Sequence, residues 1–116
     1  MINKEPRLEV YGQLLREKGI NHLVRDSENY LKLYVTFSEE WQDFNIKGYF
    51  VNKNYPYIYQ STVAADGTVE VPDEIYEDFE LHFEGKQGDQ IITTNLIVMK
   101  MTSIYSRPLK DFYPSD

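Results

Sequence analysis

The sequence has no cysteine in its 116 residues, which excludes disulfide bonds, thiolate nucleophiles and cysteine-ligated zinc sites. Basic residues are also scarce, since 12 Lys and Arg face 19 Asp and Glu and leave a net charge of −7. Nucleic-acid binding and docking on anionic membranes both rely on clustered Lys and Arg, so we expect neither. The sequence lacks an apolar run long enough for a membrane span, and its N-terminus lacks the pattern of a signal peptide.

The composition that remains is that of a folded domain. Hydrophobic residues make up 41% of the chain and charged residues 27%, enough to build a core and remain soluble. The length fits one domain and leaves no room for two. We expect a domain over residues 1–105, followed by an extended C-terminal arm over residues 106–116 with two prolines.

The negative charge is concentrated in the middle of the chain. Residues 39–89 carry three bases and twelve acids, a net of −9, whereas each flanking part has a net of +1. The densest stretch, residues 73–84, holds six acids and no Lys or Arg. It is interpreted first as a solvated strand face and alternatively as a binding face for a basic partner. It lacks the glycine and alternating ligands of a calcium loop.

Apolar residues recur mostly with a period of two, which is typical of half-buried β-strands. Two stretches show the alternation most clearly, 30–38 and 79–84. Further strands are predicted at 7–15, 46–51, 57–63, 68–71 and 90–101. The predicted core positions on these strands, with the single tryptophan expected to fill the core just after one of them, are Leu33, Val35, Phe37, Trp41, Phe79, Leu81 and Phe83.

Turn signals separate these strands at short intervals. Asp66-Gly67 predicts a hairpin between 60–65 and 68–71, and the glycines of 85–89 predict another. Residues 72–77 begin with proline followed by acids, which predicts one helical turn at a corner. Short strands punctuated this often indicate an all-β fold, an antiparallel sandwich of seven or eight strands with little helix.

No catalytic pattern is recognisable in the sequence. His22 and His82 lack the partner spacing of metal or catalytic sites, and no glycine-rich phosphate loop or nucleophile elbow is present. We therefore expect a protein that is not an enzyme and that has no cofactor and no metal site.

Aromatic side chains are the strongest candidates for binding. Tyr55, Tyr57 and Tyr59 are spaced to share one face of the strand predicted at 57–63. That face either points outward, where tyrosines stack on sugars or anchor a protein interface, or it belongs to the core. The C-terminal arm carries Leu109, Phe112 and Tyr113, which we expect to pack on the domain itself or on a neighbouring molecule.

The order of motifs over residues 20–101 resembles that of a known set of domains. The segments that carry the resemblance are Leu31-x-Leu33-x-Val35-x-Phe37, Ser38-Glu39-Glu40-Trp41, Lys47-Gly48-Tyr49-Phe50, Gly67-x-Val69-x-Val71-Pro72-Asp73-Glu74-Ile75, Phe79-x-Leu81-x-Phe83-x-Gly85 and Ile91-Ile92-Thr93-Thr94-Asn95. They resemble small Ig-like β-sandwich domains in virion proteins of tailed phages that infect Gram-positive hosts. Such domains form the N-terminal part of baseplate and fibre proteins or stand alone in heads and tails.

The resemblance implies a structural role in a phage particle. It implies an Ig-like sandwich that contacts copies of itself and other virion proteins, as a head fibre, a decoration, or a tail or baseplate adaptor. The protein would be made in the bacterial cytoplasm and reside in the virion. Two other functions stay open from the residues: a carbohydrate-binding or receptor-binding module that uses the tyrosine face, and a small acidic inhibitor of a basic host protein.

Overall fold

The computed structural model describes residues 6–19, 22–25 and 31–103. Over these residues the chain forms ten β-strands and one 3₁₀ turn, Glu39–Trp41, and no α-helix. The strands are β1 Arg7–Tyr11, β2 Leu14–Glu17, β3 His22–Arg25, β4 Lys32–Phe37, β5 Asn45–Asn52, β6 Ile58–Thr62, β7 Thr68–Glu70, β8 Phe79–Gln87, β9 Gln90–Thr93 and β10 Ile97–Ser103. Within the described part of the chain, no helix is long and apolar enough to cross a membrane.

The strands form two sheets that pack as a sandwich, which confirms the predicted all-β fold. One sheet has the order β2-β1-β4-β7, and the other has the order β3-β10-β8-β5-β6 with β9 also paired to β8. The sheets are mixed rather than wholly antiparallel, because β1 pairs with β4 and β3 with β10 in parallel. Parallel neighbours need crossover connections, which the spacing of turn signals did not indicate.

The core lies between the two sheets, as the alternation of apolar residues predicts. Six of the seven residues expected in the core are buried: Leu33, Val35, Trp41, Phe79, Leu81 and Phe83. Phe37 is half-buried and packs against the core, with its ring edge-on to Phe83 at a centroid distance of 5.5 Å. Strands contributed by both ends of the chain therefore share a single hydrophobic cluster.

Trp41 fills the core from the 3₁₀ turn after β4. Its side chain is 2% exposed, and its Nε1 donates a hydrogen bond to the carbonyl oxygen of Gly12 at 2.7 Å. Its ring lies over Gly85 in β8, where an added Cβ would come within 3.1 Å of the indole. The indole thus joins the turn of the β1–β2 hairpin to the central strand of the other sheet.

Two of the predicted strands are broken in the structure. The strand expected at 7–15 is a hairpin of β1 and β2 that turns at Gly12, where φ is +63°. The strand expected at 90–101 is divided into β9 and β10 by residues 94–96. At this break the Thr94 hydroxyl accepts a hydrogen bond from the Phe83 amide at 3.0 Å and donates one to the Asn95 carbonyl.

Asn95 explains why the chain bends between β9 and β10. Its Oδ1 accepts a hydrogen bond from the Leu15 amide at 2.7 Å, and its Nδ2 donates to the Leu15 carbonyl at 3.2 Å. Both contacts are with β2, 80 residues away in the chain and in the other sheet. Tertiary hydrogen bonds of this kind leave no signal in the period of the apolar residues.

One of the three predicted connections differs. Residues 85–89 do form a hairpin, between β8 and β9. Asp66-Gly67 also closes a hairpin turn, in which the Gly67 amide donates to the Ala64 carbonyl at 2.9 Å and the Ala64 amide to the Thr68 carbonyl at 2.8 Å. The flanking strands then continue in different sheets, β6 in the larger and β7 in the smaller. Residues 72–77 contain a turn closed by the Ile75 amide on the Pro72 carbonyl at 3.0 Å, and not a helical turn.

Candidate interaction surface

Strand β6 lies at one edge of the larger sheet. Among the described residues it pairs only with β5, in an antiparallel register that places Tyr59 opposite Phe50 and Ser61 opposite Gly48. In an antiparallel pair, residues alternate between those that exchange hydrogen bonds with the neighbouring strand and those whose N–H and C=O point away from it. The register therefore decides which backbone groups of β6 face outward.

The outward-facing residues of β6 are Ile58, Gln60 and Thr62. The Val63 amide donates to the Ile46 carbonyl at 2.9 Å, which fixes that pair as hydrogen-bonded. Because hydrogen-bonded pairs recur every two residues, Ser61 and Tyr59 are the next residues of β6 that bond to β5. The backbone groups of the three residues between them are left on the free edge of the sheet, in a row spaced by two residues.

This edge carries no charge. Residues 54–65 contain no Asp, Glu, Lys or Arg, although such residues make up 27% of the chain. Natural sheets usually protect an edge with charged side chains, with very short strands or by covering it, because unpaired strands associate.

Other edge strands of the described residues show such protection. β2 carries an ion pair between Arg16 and Glu9 at 2.6 Å, and β7 has only three residues. On β9, the Gln13 side chain covers the Thr93 carbonyl at 3.0 Å. The uncharged edge of β6, five residues long, is therefore suited to pairing with another strand.

The three tyrosines predicted to share one face do not do so. Tyr55 and Tyr57 precede β6 and are 43% and 68% exposed. Tyr59 lies within the strand, half-buried against the core. Proline at position 56 ends the regular alternation before the strand begins, which is why the period of two does not extend back to Tyr55. The exposed tyrosines thus flank the β6 edge instead of forming a flat platform with Tyr59.

The segment before β6 is held in place by the acidic stretch. The Glu77 carboxylate accepts hydrogen bonds from the amide and the side chain of Asn54, at 2.8 and 2.7 Å. The Lys53 amide donates to the Asp78 carbonyl at 3.0 Å, and the rings of Tyr55 and Tyr76 lie 6.3 Å apart. Glu77 and the backbone of Asp78 therefore help to position the segment that carries the tyrosines.

Asp78 has a second internal role. Its Oδ1 accepts a hydrogen bond from the Met101 amide at 2.9 Å, and its other oxygen lies 3.6 Å from the Lys100 ammonium. The hydrogen bond from Met101, with Lys100 and Lys53 nearby, holds the pKa of Asp78 below its usual range. The carboxylate thus joins the start of β8 to β10 across the sheet.

The outer face of the larger sheet carries a stacked pair of rings. Tyr49 of β5 and His82 of β8 lie opposite each other, with ring centroids 5.0 Å apart and planes at 8°. Burial raises the pKa of the Tyr49 hydroxyl, and its hydrogen bond to Glu84 adds to the effect. His82 thus lies on the outer face and is half-buried by its neighbour.

A separate cleft of about 1000 Å³ opens between β4, the 3₁₀ turn and residues 62–67. Three of its polar side chains, those of Asp66, Arg7 and Tyr34, make internal contacts. Asp66 accepts hydrogen bonds from the amide and hydroxyl of Thr68 at 3.0 and 2.7 Å, which lowers the pKa of Asp66. The Arg7 guanidinium lies 5.0 Å from the centroid of the Tyr34 ring. In the described part of the chain, no three His, Asp or Glu residues are grouped to hold a metal ion.

Sequence reasoning missed the residues of the β6 edge. Ile58, Gln60 and Thr62 carry no recognisable motif, and only the uncharged run at 54–65 marks them. The predicted arm residues Leu109, Phe112 and Tyr113 lie outside the described residues, as does the domain boundary at 105 and 106.

The geometry of the β6 edge and the resemblance over residues 20–101 are the two guides to function. The first is a property of the fold, and the second of the order of sequence motifs. Comparison of the chain with protein families, curated proteins and solved structures finds no match.

Proposed function

We propose that this protein is a non-enzymatic structural component of a tailed-phage particle, held in place by protein–protein contacts at the β6 edge. The observation that carries the proposal is the row of outward-facing backbone groups at Ile58, Gln60 and Thr62 on an uncharged strand. Such an edge binds an added strand through main-chain hydrogen bonds, and neighbouring pockets or side chains give the contact its specificity.

The side chains around the edge support the same role. Ile58 is 64% exposed and Tyr57 is 68% exposed, so both present apolar surface beside the free backbone groups. Aromatic residues are enriched at protein interfaces because one side chain supplies a large contact area and a polar tip.

The phage context comes from the resemblance to Ig-like virion domains, which is an analogy of motif order. A sandwich by itself supports many functions, so the particle is proposed from the motifs and the contact from the edge. The candidate positions are a head fibre, a decoration, or a tail or baseplate adaptor. In each of them, many weak contacts between repeated copies add up through avidity.

The proposal is tested by Ile58→Lys, compared with Val98→Lys as a matched control. Both residues are exposed and β-branched on the outer face of the same sheet, but Val98 lies on β10, away from the edge. A lysine on an edge strand opposes strand addition. We expect I58K to be depleted at least about tenfold from purified particles in quantitative mass spectrometry, a loss of about 1.4 kcal/mol in binding. V98K should be incorporated like the unmodified chain.

Absence of the unmodified protein from purified particles would refute the virion role. Equal incorporation of I58K and V98K would refute the role of the edge and leave the virion role standing. The two outcomes separate the location of the protein from the surface by which it is held.

Glycan binding is a second candidate, favoured by the exposure of Tyr55 and Tyr57. Exposed tyrosine rings stack on sugar rings, and the pair lies close together in sequence beside the edge. On a glycan array, binding that is abolished by Tyr57→Ala and retained by Ile58→Lys would support this function over strand addition.

A further inference from the structure

The β6 edge defines what its partner must look like. Three residues offer N–H and C=O groups in one row, so a partner strand has to present matching groups at alternate positions. The partner must also tolerate an edge without charges, because residues 54–65 offer no side chain for an ion pair. A strand with the same spacing and the same neutrality satisfies both requirements.

We propose that β6 of a second copy of this chain occupies the edge, antiparallel and related by a two-fold axis through Gln60. This inference rests on the proposed role of the β6 edge in assembly and names the partner. In this arrangement Gln60 lies opposite Gln60 of the second copy, and Ile58 lies opposite Thr62 of the second copy. All three outward-facing residues of each strand then exchange hydrogen bonds, six in total by the alternation of an antiparallel ladder.

The structure favours this register over its neighbours. A shift of the second copy by two residues in one direction places Thr62 opposite Pro56, which has no N–H to donate. A shift in the other direction places Ile58 opposite Ala64, whose amide already donates to the Thr68 carbonyl at 2.8 Å. Centring on Gln60 is the arrangement in which every outward-facing group meets a free partner.

The side chains of the residues between the hydrogen-bonded pairs agree with the same register. The pairs that do not exchange hydrogen bonds bring their side chains closest together, with Cα atoms about 4.5 Å apart. These pairs are Tyr59 with Ser61 of the second copy, and Tyr57 with Val63 of the second copy. Tyr57 is 68% exposed, and Val63 packs at the margin of the core, so the pairing covers both. Pairs of an aromatic and a β-branched residue are favourable across strands.

The net charge of −7 on each copy opposes the contact over long range, but β6 itself carries no charged residue. Rows of directly opposed residues run from β8 through β5 and β6 into the second copy. The nearest acids in these rows are Glu80 and Glu84 of β8, and β8 lies two strands in from the edge. Five strand spacings of about 4.8 Å then separate Glu80 from Glu84 of the second copy, roughly 24 Å. That distance exceeds the Debye length of about 8 Å at physiological ionic strength.

The contact is small, so it should be weak between two free copies. Stable interfaces bury about 1,200 Å² or more, and one pair of five-residue strands covers less. Weak pairing of this kind becomes strong when copies are held in an array.

A single cysteine at the axis tests the pairing directly, since the chain has no other thiol. Opposed residues in a hydrogen-bonded antiparallel pair have Cα atoms about 5.5 Å apart, within the range of a disulfide. We expect Gln60→Cys to form a disulfide-linked dimer at least about tenfold faster than Gln90→Cys, an exposed glutamine on β9, because pairing raises the local thiol concentration. Equal rates would overturn the proposal.

Charge pairs give an independent test. Like charges directly opposite each other destabilise a strand pair and opposite charges stabilise it. At the same total concentration, an equimolar mixture of Gln60→Lys and Gln60→Glu should have a higher average mass in sedimentation equilibrium than either variant alone. A mixture with no higher mass than the separate variants would overturn the two-fold pairing.

The outcomes separate this inference from the proposed function. Loss of I58K from particles without any cross-linking of Q60C would mean that another virion protein occupies the edge, which overturns the inference alone. Rapid cross-linking of Q60C with normal incorporation of I58K would support the pairing and overturn the proposed function of the edge.

Discussion

Hydrogen bonds from single side chains connect segments that are not paired with each other as β-strands. Asn52, 2% exposed at the end of β5, donates from Nδ2 to the Glu74 carbonyl at 2.9 Å and accepts from the Tyr76 amide at 3.2 Å. This side chain fixes the turn at 72–76 against the strand next to β6. The tyrosine segment depends on that turn, because Asn54 is held by Glu77.

Asn52→Leu should destabilise the fold by about 2–4 kcal/mol, because the Glu74 carbonyl and the Tyr76 amide each lose a buried partner at about 1–3 kcal/mol. The measurement is the free energy of unfolding by urea. Asn45→Leu, an exposed asparagine on the same strand, is the control and should change it by less than about 0.5 kcal/mol. Equal effects of the two substitutions would contradict the role given to Asn52.

Asp78 makes stability depend on pH. Its folded-state pKa is lowered by the hydrogen bond from the Met101 amide, so the carboxylate stabilises the fold above the unfolded value of about 3.9. That contribution is lost as the pH falls through the lower folded-state value. We expect unmodified protein to lose more stability than Asp78→Asn when urea unfolding is repeated from neutral pH down into this range. Parallel pH profiles would show that Asp78 does not contribute.

At the level of elements, the register of β6 predicts different effects of proline at two adjacent positions. Proline lacks an N–H and is tolerated in a strand only where that group faces away from the ladder. Gln60 faces outward, whereas Ser61 bonds to β5. Gln60→Pro should therefore leave a folded domain, and Ser61→Pro should cost about 1–3 kcal/mol by breaking a ladder hydrogen bond.

Thermal unfolding followed by circular dichroism distinguishes the two variants. A lower midpoint for Ser61→Pro than for Gln60→Pro is the expected result. The reverse order would mean that Gln60, and not Ser61, bonds to β5. The assignment of Ile58, Gln60 and Thr62 as the outward-facing residues would then be wrong.

The strands show what the sequence does and does not determine. The period of two located β4, β5, β6 and β8 within a few residues, because each has one face in the core and one outside. The breaks at Gly12 and at 94–96 were missed because they are held by contacts with distant parts of the chain, from Trp41 to Gly12 and from Leu15 to Asn95. β3 was missed because four residues are too few to show a period.

The candidate site was predicted only in part, for a related reason. The tyrosines were found because aromatic spacing is visible in the sequence. The prediction that they share a face was based on a strand that begins before Pro56. Which backbone groups face outward depends on pairing with β5, and strand pairing is a property of the whole sheet.

For the whole molecule, the negative charge sets how association responds to salt. Two copies with a net charge of −7 repel each other over long range, and the β6 contact contains no ion pair to lose. Added salt should therefore strengthen self-association, measured by sedimentation equilibrium in increasing sodium chloride. Self-association that weakens with salt would mean that opposite charges attract across the contact, which contradicts an uncharged β6 interface.

The central claim is that the outward-facing row of β6 is the contact surface of this protein. It is tested most directly by the amide chemical shifts in ¹H–¹⁵N spectra of uniformly labelled protein, followed from micromolar to millimolar concentration. We predict that the amides of Ile58, Gln60 and Thr62 shift with concentration, while those of Tyr59 and Ser61, bonded to β5, shift less. Concentration-dependent shifts on another strand, with these three amides unchanged, would contradict the account.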